Sequence, residues 1–324
     1  MEYQELFTRD PANPILTAKD MPFPCKAVCN PAACVVDGET VLLLRAIGVD
    51  DVSHVVVARS RDGVTGWRVQ TNPLLSPTRD DADWYEAMGC EDPRLCYLAE
   101  IDQYVVSYVG VSHFGAGVCL ATTHDFHNVA RFGLVIHPYN KDAALFPRKI
   151  GGRFLLLHRP TSGPQENIWL SESDDLRHWG NPRCVLEEAD KPGWDNGKVG
   201  AGPTPIETPE GWLLIFHGVE RLETSWLYRV GLALLDLDDP SRIVRRLPHW
   251  IFGPMEPYEM RDGQGGVVFP TGATVQDGVV RMYYGGGDVS VGVATARIDD
   301  LLAALREHGT MGTKEASGLG PEAG

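Results

Sequence analysis

Five short apolar runs recur along the chain, each set off by a turn signal. They are Val41–Arg45 after Asp37-Gly38, Tyr104–Tyr108 after Asp102, Phe154–His158 after Gly151-Gly152, Trp212–Phe216 after Gly211, and Val280–Tyr284 after Gly278. Each is rich in β-branched, aromatic and Leu residues and is too short for a helix, so each predicts a strand. A second apolar element follows every run, at Val55, Val118, Ile168, Val230 and Val291. A Pro-containing segment precedes every run: Asn30-Pro31, Asp92-Pro93, Phe146-Pro147, Gly202-Pro203 and Phe269-Pro270. Two of the later elements lead into a matching turn, Asp62…Trp67 and Asp174…Trp179.

The repeating unit therefore reads strand, turn, strand, loop, strand, turn and a fourth strand. One such sheet cannot bury both faces, whereas five packed radially around an axis can, and ring closure protects their edges. The pattern predicts an all-β fold, a five-bladed β-propeller. A β-sandwich is the competing all-β reading, but it does not explain why a Pro segment and two apolar runs recur together five times. The prolines repeat every 54–67 residues, more than the roughly 40–50 of a usual blade motif. The excess falls in Thr71–Met88 and Leu247–Gly266.

Ile298–His308 stands outside the repeat. Leu301, Leu302 and Leu305 have helical spacing, Asp299 or Asp300 is the expected N-cap and Gly309 the stop, which predicts a short C-terminal helix. Residues 1–308 are expected to form a single catalytic domain. Residues 309–324, Gly-, Ala- and Glu-rich with nothing to bury, are expected to be a disordered tail. The first 20 or so residues are expected to add a strand that closes the last blade.

Composition narrows the function classes. Apolar residues are 43% and charged residues 23%, an ordinary globular balance, and the net charge is −15. A chain this acidic is a poor partner for nucleic acid, and no run approaches the roughly 18 apolar residues of a membrane span. The opening MEYQELFTRDPANP has neither a basic nor an apolar leader region, so a cytoplasmic location is expected. The seven cysteines form no CxxC pair and read as buried thiols. The histidines show no metal-binding spacing, so no metal and no cofactor are expected. The sequence leaves a homo-oligomer open.

In a propeller the innermost strands converge, so residues at the equivalent repeat position meet in space. That position carries unlike, mostly polar chemistry: Asn30, Glu91-Asp92 with Arg94, Lys141-Asp142 with Arg148, Lys198, and the apolar Phe269. The second strands end in Arg45, His158-Arg159, His217 and Tyr284, with Asp288 just beyond. Such divergence suits an asymmetric pocket. Lys141, Arg159 and Lys198 come from adjacent repeats, and three converging cations repel unless an anion such as phosphate sits among them. Asp92 stands out as the one acid, although Asp-Pro is also an ordinary turn initiator. A glycoside hydrolase usually needs two carboxyl groups, but phosphate as nucleophile needs positioning more than deprotonation. His158 and His217 read either as strand-end polar residues bonded to a neighbour or as groups for a sugar hydroxyl.

Taken together, Asn30-Pro31, Leu43–Ala46, Gly89–Arg94, Leu145–Lys149, His158–Pro160, Lys198–Pro203, His217–Val219, Glu256–Glu259, Val268–Gly272 and Tyr283-Tyr284-Gly285…Asp288 resemble glycoside hydrolase family 130, from about Asn30 to Leu302. The resemblance implies a five-bladed propeller and an inverting β-mannoside phosphorylase. Inorganic phosphate, a co-substrate, would attack a terminal β-mannosyl unit and release α-mannose 1-phosphate and a shortened acceptor. It implies Asp92 as general acid, working through O3 of the mannosyl unit. Lys141, Arg159 and Lys198 would bind phosphate. Asn30, Arg45, Tyr228, Phe269 and Asp288 would line the sugar sites; His217, as a pocket-facing histidine, is expected beside them on its own position and not on the resemblance. Two departures stand out: some phosphorylases carry Arg-Asn at Lys141-Asp142, and the loop TSGPQEN lacks a His that helps bind the acceptor there. An inverting β-mannosidase with Glu220, Glu256 or Glu259 as base is the alternative. A non-catalytic carbohydrate-binding propeller and a protein-interaction propeller come after it.

Overall fold

The computed structural model describes residues 5–78, 84–261 and 265–311, so residues 312–324 of the expected tail lie outside the described residues. The fold is a five-bladed propeller. The five apolar runs are the second strands of the blades: Glu39–Gly48, Gln103–Ser112, Phe154–Pro160, Gly211–Arg221 and Val279–Gly286. Each pairs antiparallel with an inner strand before it and a third strand after it. The inner strands are Cys25–Val36, Gly89–Leu98, Asn140–Leu145, Lys198–Ala201 and Gly266–Gln276.

Ring closure is visible in the core. Most buried apolar residues fall into five clusters, each shared by two neighbouring blades. The cluster of Val28, Leu42, Leu44 and Val56 with Tyr283, Val291 and Val293 joins the first blade to the last. The chain start completes the last blade: Thr8–Arg9 and Leu16–Thr17 pair with the outer edge of Ser290–Arg297. Phe7 anchors it, buried with its ring centroid 6.3 Å from that of Phe252. These contacts bury apolar surface on both faces of every sheet, the dominant favourable term in such a fold.

The terminal helix spans Ile298–His308 and buries Leu301, Leu302 and Leu305. Its N-cap is Arg297, without a side-chain cap, and not either aspartate. Asp299 and Asp300 lie in the first turn, where negative charge meets the positive end of the helix dipole. All seven cysteines are free, with Cys29, Cys90, Cys96 and Cys119 buried. Among the described residues no helix is long and apolar enough to cross a membrane.

The Pro markers need correction in two blades. Pro31, Pro93 and Pro270 lie in inner strands, but Pro147 and Pro203 fall just past theirs. What recurs in the first three blades is a short polar residue at positive φ: Asn30 at 48°, Asp92 at 45° and Asp142 at 53°. Each sits where the register of the inner strand against its neighbour shifts. Asn and Asp tolerate the left-handed region better than other residues bearing a Cβ, and a bulge re-aims a side chain out of the pleat. The outer turn also differs by one residue in the third blade. Asp62 and Asp125 cap their turns by accepting from backbone N–H groups, and the equivalent residue is Asp175, not Asp174.

Candidate active site

The hub holds a cavity of about 930 Å³ to which all five blades contribute. Nine of the ten sequence-predicted site residues line it: Asn30, Arg45, Asp92, Lys141, Arg159, Lys198, Tyr228, Phe269 and Asp288. The three cations from the third and fourth blades thus share one chamber with Asp92 from the second.

Asp92 is only 3% exposed. Its Oδ1 accepts from Asn30 Nδ2 at 2.7 Å and from an Arg45 terminal nitrogen at 3.0 Å. Lys141 Nζ lies 3.8 Å from its Oδ2. Burial works to raise the pKa of this carboxyl, but Arg45, Lys141, Arg94 and the Asn30 bond outweigh it and hold the value down at about 2. Arg45 also pairs with Glu91 at 2.7 Å and donates to Ser53 Oγ at 3.0 Å, so its guanidinium is locked in orientation.

Close packing enforces this arrangement. A Cβ on Gly285 would lie 2.0 Å from Asn30 Oδ1. Gly285→Ala is therefore expected to displace Asn30 from Asp92 and lower kcat by up to ~10²-fold, the cost of misplacing a catalytic group by about 1 Å. Steady-state rates with an unchanged melting temperature would check this.

Below the cations lies a buried ionic floor. Asp142, fully buried, accepts from Arg159 Nε at 2.7 Å and pairs with a terminal nitrogen of the same guanidinium at 2.6 Å. Arg94 reaches Asp142 at 3.4 Å and donates to the Gly202 and Ala201 carbonyls, tying the second blade to the fourth. Burial opposes ionisation of Asp142, yet the Arg159 and Arg94 guanidiniums hold its pKa far below the ordinary range. Among the described residues Lys198 has no such carboxylate; its ammonium lies 4.9 Å from the Trp226 ring centroid and 5.3 Å from that of Tyr228. Burial, helped by Arg159, lowers the Lys198 pKa to about 8 against the pull of Asp142 and Asp288.

The apolar wall is Tyr228 against Phe269, edge to face with centroids 6.1 Å apart. Asp288, at φ 60°, pairs with Arg261 across the mouth, and burial raises its pKa.

His217 does not fulfil the expectation of a sugar contact. It is 0% exposed, lies behind the wall with its ring 4.6 Å from that of Phe269, and sets Nε2 3.5 Å from Asp142. Burial lowers its pKa to about 3, so it is neutral. It shapes the floor that holds Arg159. His158 is likewise bonded within the blade, to Asn140 and Ser171.

Sequence reasoning missed Glu166, Thr161 and Arg261, all in the cavity lining. Only the position of Glu166, in the loop directly after Arg159-Pro160, signalled it. The carboxylates considered as a hydrolytic base lie elsewhere. Glu259 is fully buried under Arg9 and Tyr284, Glu220 pairs with Arg229 at 2.6 Å, and neither these nor Glu256 lines the cavity.

The model of a glycoside hydrolase 130 family, described as beta-1,4-mannooligosaccharide phosphorylase, matches residues 9–307. The chain is 37% identical to a beta-1,2-mannobiose phosphorylase of Listeria innocua over 257 residues, 78% of this chain and 69% of that one. It is 34% identical to a 1,2-beta-oligomannan phosphorylase of a Thermoanaerobacter species, over 85% of this chain and 91% of the relative. The solved structure of the Listeria innocua beta-1,2-mannobiose phosphorylase with beta-1,2-mannobiose superposes with a TM-score of 0.83 at 31% identity, covering 93% of this chain and 99% of that one.

Proposed function

The chain belongs to glycoside hydrolase family 130, and from that premise we propose that it is an inverting β-mannoside phosphorylase whose chemistry runs in the hub cavity. The observation that carries this reading is the meeting of Lys141, Arg159 and Lys198 in one chamber with the buried acid Asp92. Phosphate is the anion that such a set can hold, Arg by a fork and Lys as point charges. The mannosyl unit takes the other half of the cavity, against Tyr228 and Phe269, with Asn30, Arg45 and Asp288 for its hydroxyls. Phosphate then attacks the anomeric carbon from the cation side. The acceptor leaves from the opposite face, giving the α-phosphate.

Asp92 must hold a proton to act as the acid, and in the free site it is a carboxylate. The incoming phosphate changes that balance. At about 5 Å and an effective dielectric constant near 20, each added negative charge is worth roughly 3 kcal/mol, or a rise of about 2 in the Asp92 pKa. Phosphate thereby readies the acid as it binds, and Asp92 passes the proton toward the leaving oxygen through O3 of the mannosyl unit, as the family resemblance implies.

The linkage we take as β-1,2, the linkage in the names of both relatives described above. Reverse phosphorolysis tests it. Supplied with α-mannose 1-phosphate and a panel of acceptors, the enzyme should release phosphate and build a β-1,2 bond. A β-1,4 product would correct the linkage, and no release with any acceptor would remove the reading.

Lys198 gives the reaction a pH signature. The free-enzyme profile of kcat/KM for phosphate should fall as pH rises through about 8, where Lys198 loses its charge. A profile flat from pH 7 to 9.5 would take Lys198 out of the phosphate site.

A further inference from the structure

Arg159 faces carboxylates on both edges of its guanidinium. Nε and one terminal nitrogen meet Asp142 at 2.7 and 2.6 Å, and the other terminal nitrogen pairs with Glu166. A phosphate taking its fork from Arg159 must therefore displace one of them. Asp142 cannot leave, being fully buried and held by Arg94 as well. Glu166 can, since its side chain is 28% exposed and lies at the cavity wall.

We propose that the Glu166 carboxylate is a built-in occupant of the phosphate site, seated on Arg159 until phosphate displaces it, and that it sets how much phosphate the enzyme requires. This rests on the reading of Lys141, Arg159 and Lys198 as the phosphate site. The exchange is a side-chain rotation, because the main chain of Glu166 is pinned. Its carbonyl accepts from Val199 N at 3.0 Å, next to Lys198, and its N–H donates to Glu188 Oε2 at 3.1 Å. A tethered carboxylate competes at a high effective concentration, and a charge-assisted pair with Arg is among the stronger contacts available to it. If the pair is closed nine-tenths of the time, phosphate binds about tenfold more weakly than to the open site. While seated, the carboxylate also adds to the charge compensation of the buried guanidinium.

Calorimetric titration of phosphate into the free enzyme, together with KM for phosphate, tests this. Glu166→Gln should tighten phosphate about tenfold in Kd and in KM, a change exceeding any in kcat, and sulfate should tighten in parallel. Glu166→Asp, which keeps the charge but shortens the reach, should fall between. Unchanged or weaker phosphate binding by Glu166→Gln, with the melting temperature retained, would overturn the proposal. The latter result would mean that Glu166 orients Arg159 for the anion. Glu166→Ala serves as the second variant if the amide does not fold. The titration needs no turnover. A wild-type enzyme that cleaves mannosides without phosphate would therefore refute the functional reading, while phosphate affinity would still decide the role of Glu166.

Discussion

Asp92→Asn should lower kcat for phosphorolysis by about 10²–10⁴ while the protein stays folded. The substitution is isosteric, and the amide oxygen can still accept from Asn30 and Arg45. Glu91 remains paired with Arg45 at 2.7 Å, so the loss of one carboxylate does not leave that guanidinium without a counter-charge. What the amide cannot do is take and return a proton. The loss should appear in kcat with mannoside KM little changed, because the substitution leaves in place Asn30 and Arg45, the side chains proposed to hold the sugar. A donor with an activated leaving group that needs no protonation should recover part of the rate. Steady-state kinetics beside a thermal melt check the prediction. Near-wild-type turnover would remove Asp92 from the acid role.

Lys198→Ala should raise KM for phosphate by about 10²-fold, in line with loss of one charge-assisted contact to a dianion. Its effect on stability should be small or favourable. The ammonium is half-buried over Trp226 and Tyr228, without a paired carboxylate among the described residues, and burial already lowers its pKa to about 8. Perturbed cations of this kind cluster at ligand sites, and Lys198 lines the hub cavity. Sulfate should compete with phosphate in the wild type and do so far less in the variant. Equal KM values for phosphate in the two proteins would break the assignment. A loss confined to mannoside KM would move Lys198 to the sugar side.

The blades were legible because apolar runs of fixed length, bounded by turns, can bury both faces only in a ring. The convergence of Asn30, Asp92, Lys141 and Lys198 followed from that topology, since equivalent inner-strand positions must meet. The Pro markers misled in the third and fourth blades because proline is not the physical requirement. The requirement is a residue that accepts positive φ at a bulge, met in the third blade by Asp142. Depth was not legible either. A strand-end pattern placed His217 toward the hub but could not say that it would be fully buried against Phe269, which lines the cavity in its place. Glu166 and Arg261 are loop residues with no counterpart in the repeat, and their partners Arg159 and Asp288 become neighbours only through the turns that carry them. Even the central bonds of Asp92, to residues 62 and 47 positions away, exist only once neighbouring blades pack.

The central claim is that phosphate, not water, cleaves the mannosidic bond in this cavity. The most direct measurement follows wild-type enzyme with β-1,2-mannobiose by proton and phosphorus NMR, with and without inorganic phosphate, before products equilibrate. The predicted result is α-mannose 1-phosphate appearing one for one with free mannose, and no cleavage in phosphate-free buffer. Two free mannoses per disaccharide at a rate indifferent to phosphate would contradict it.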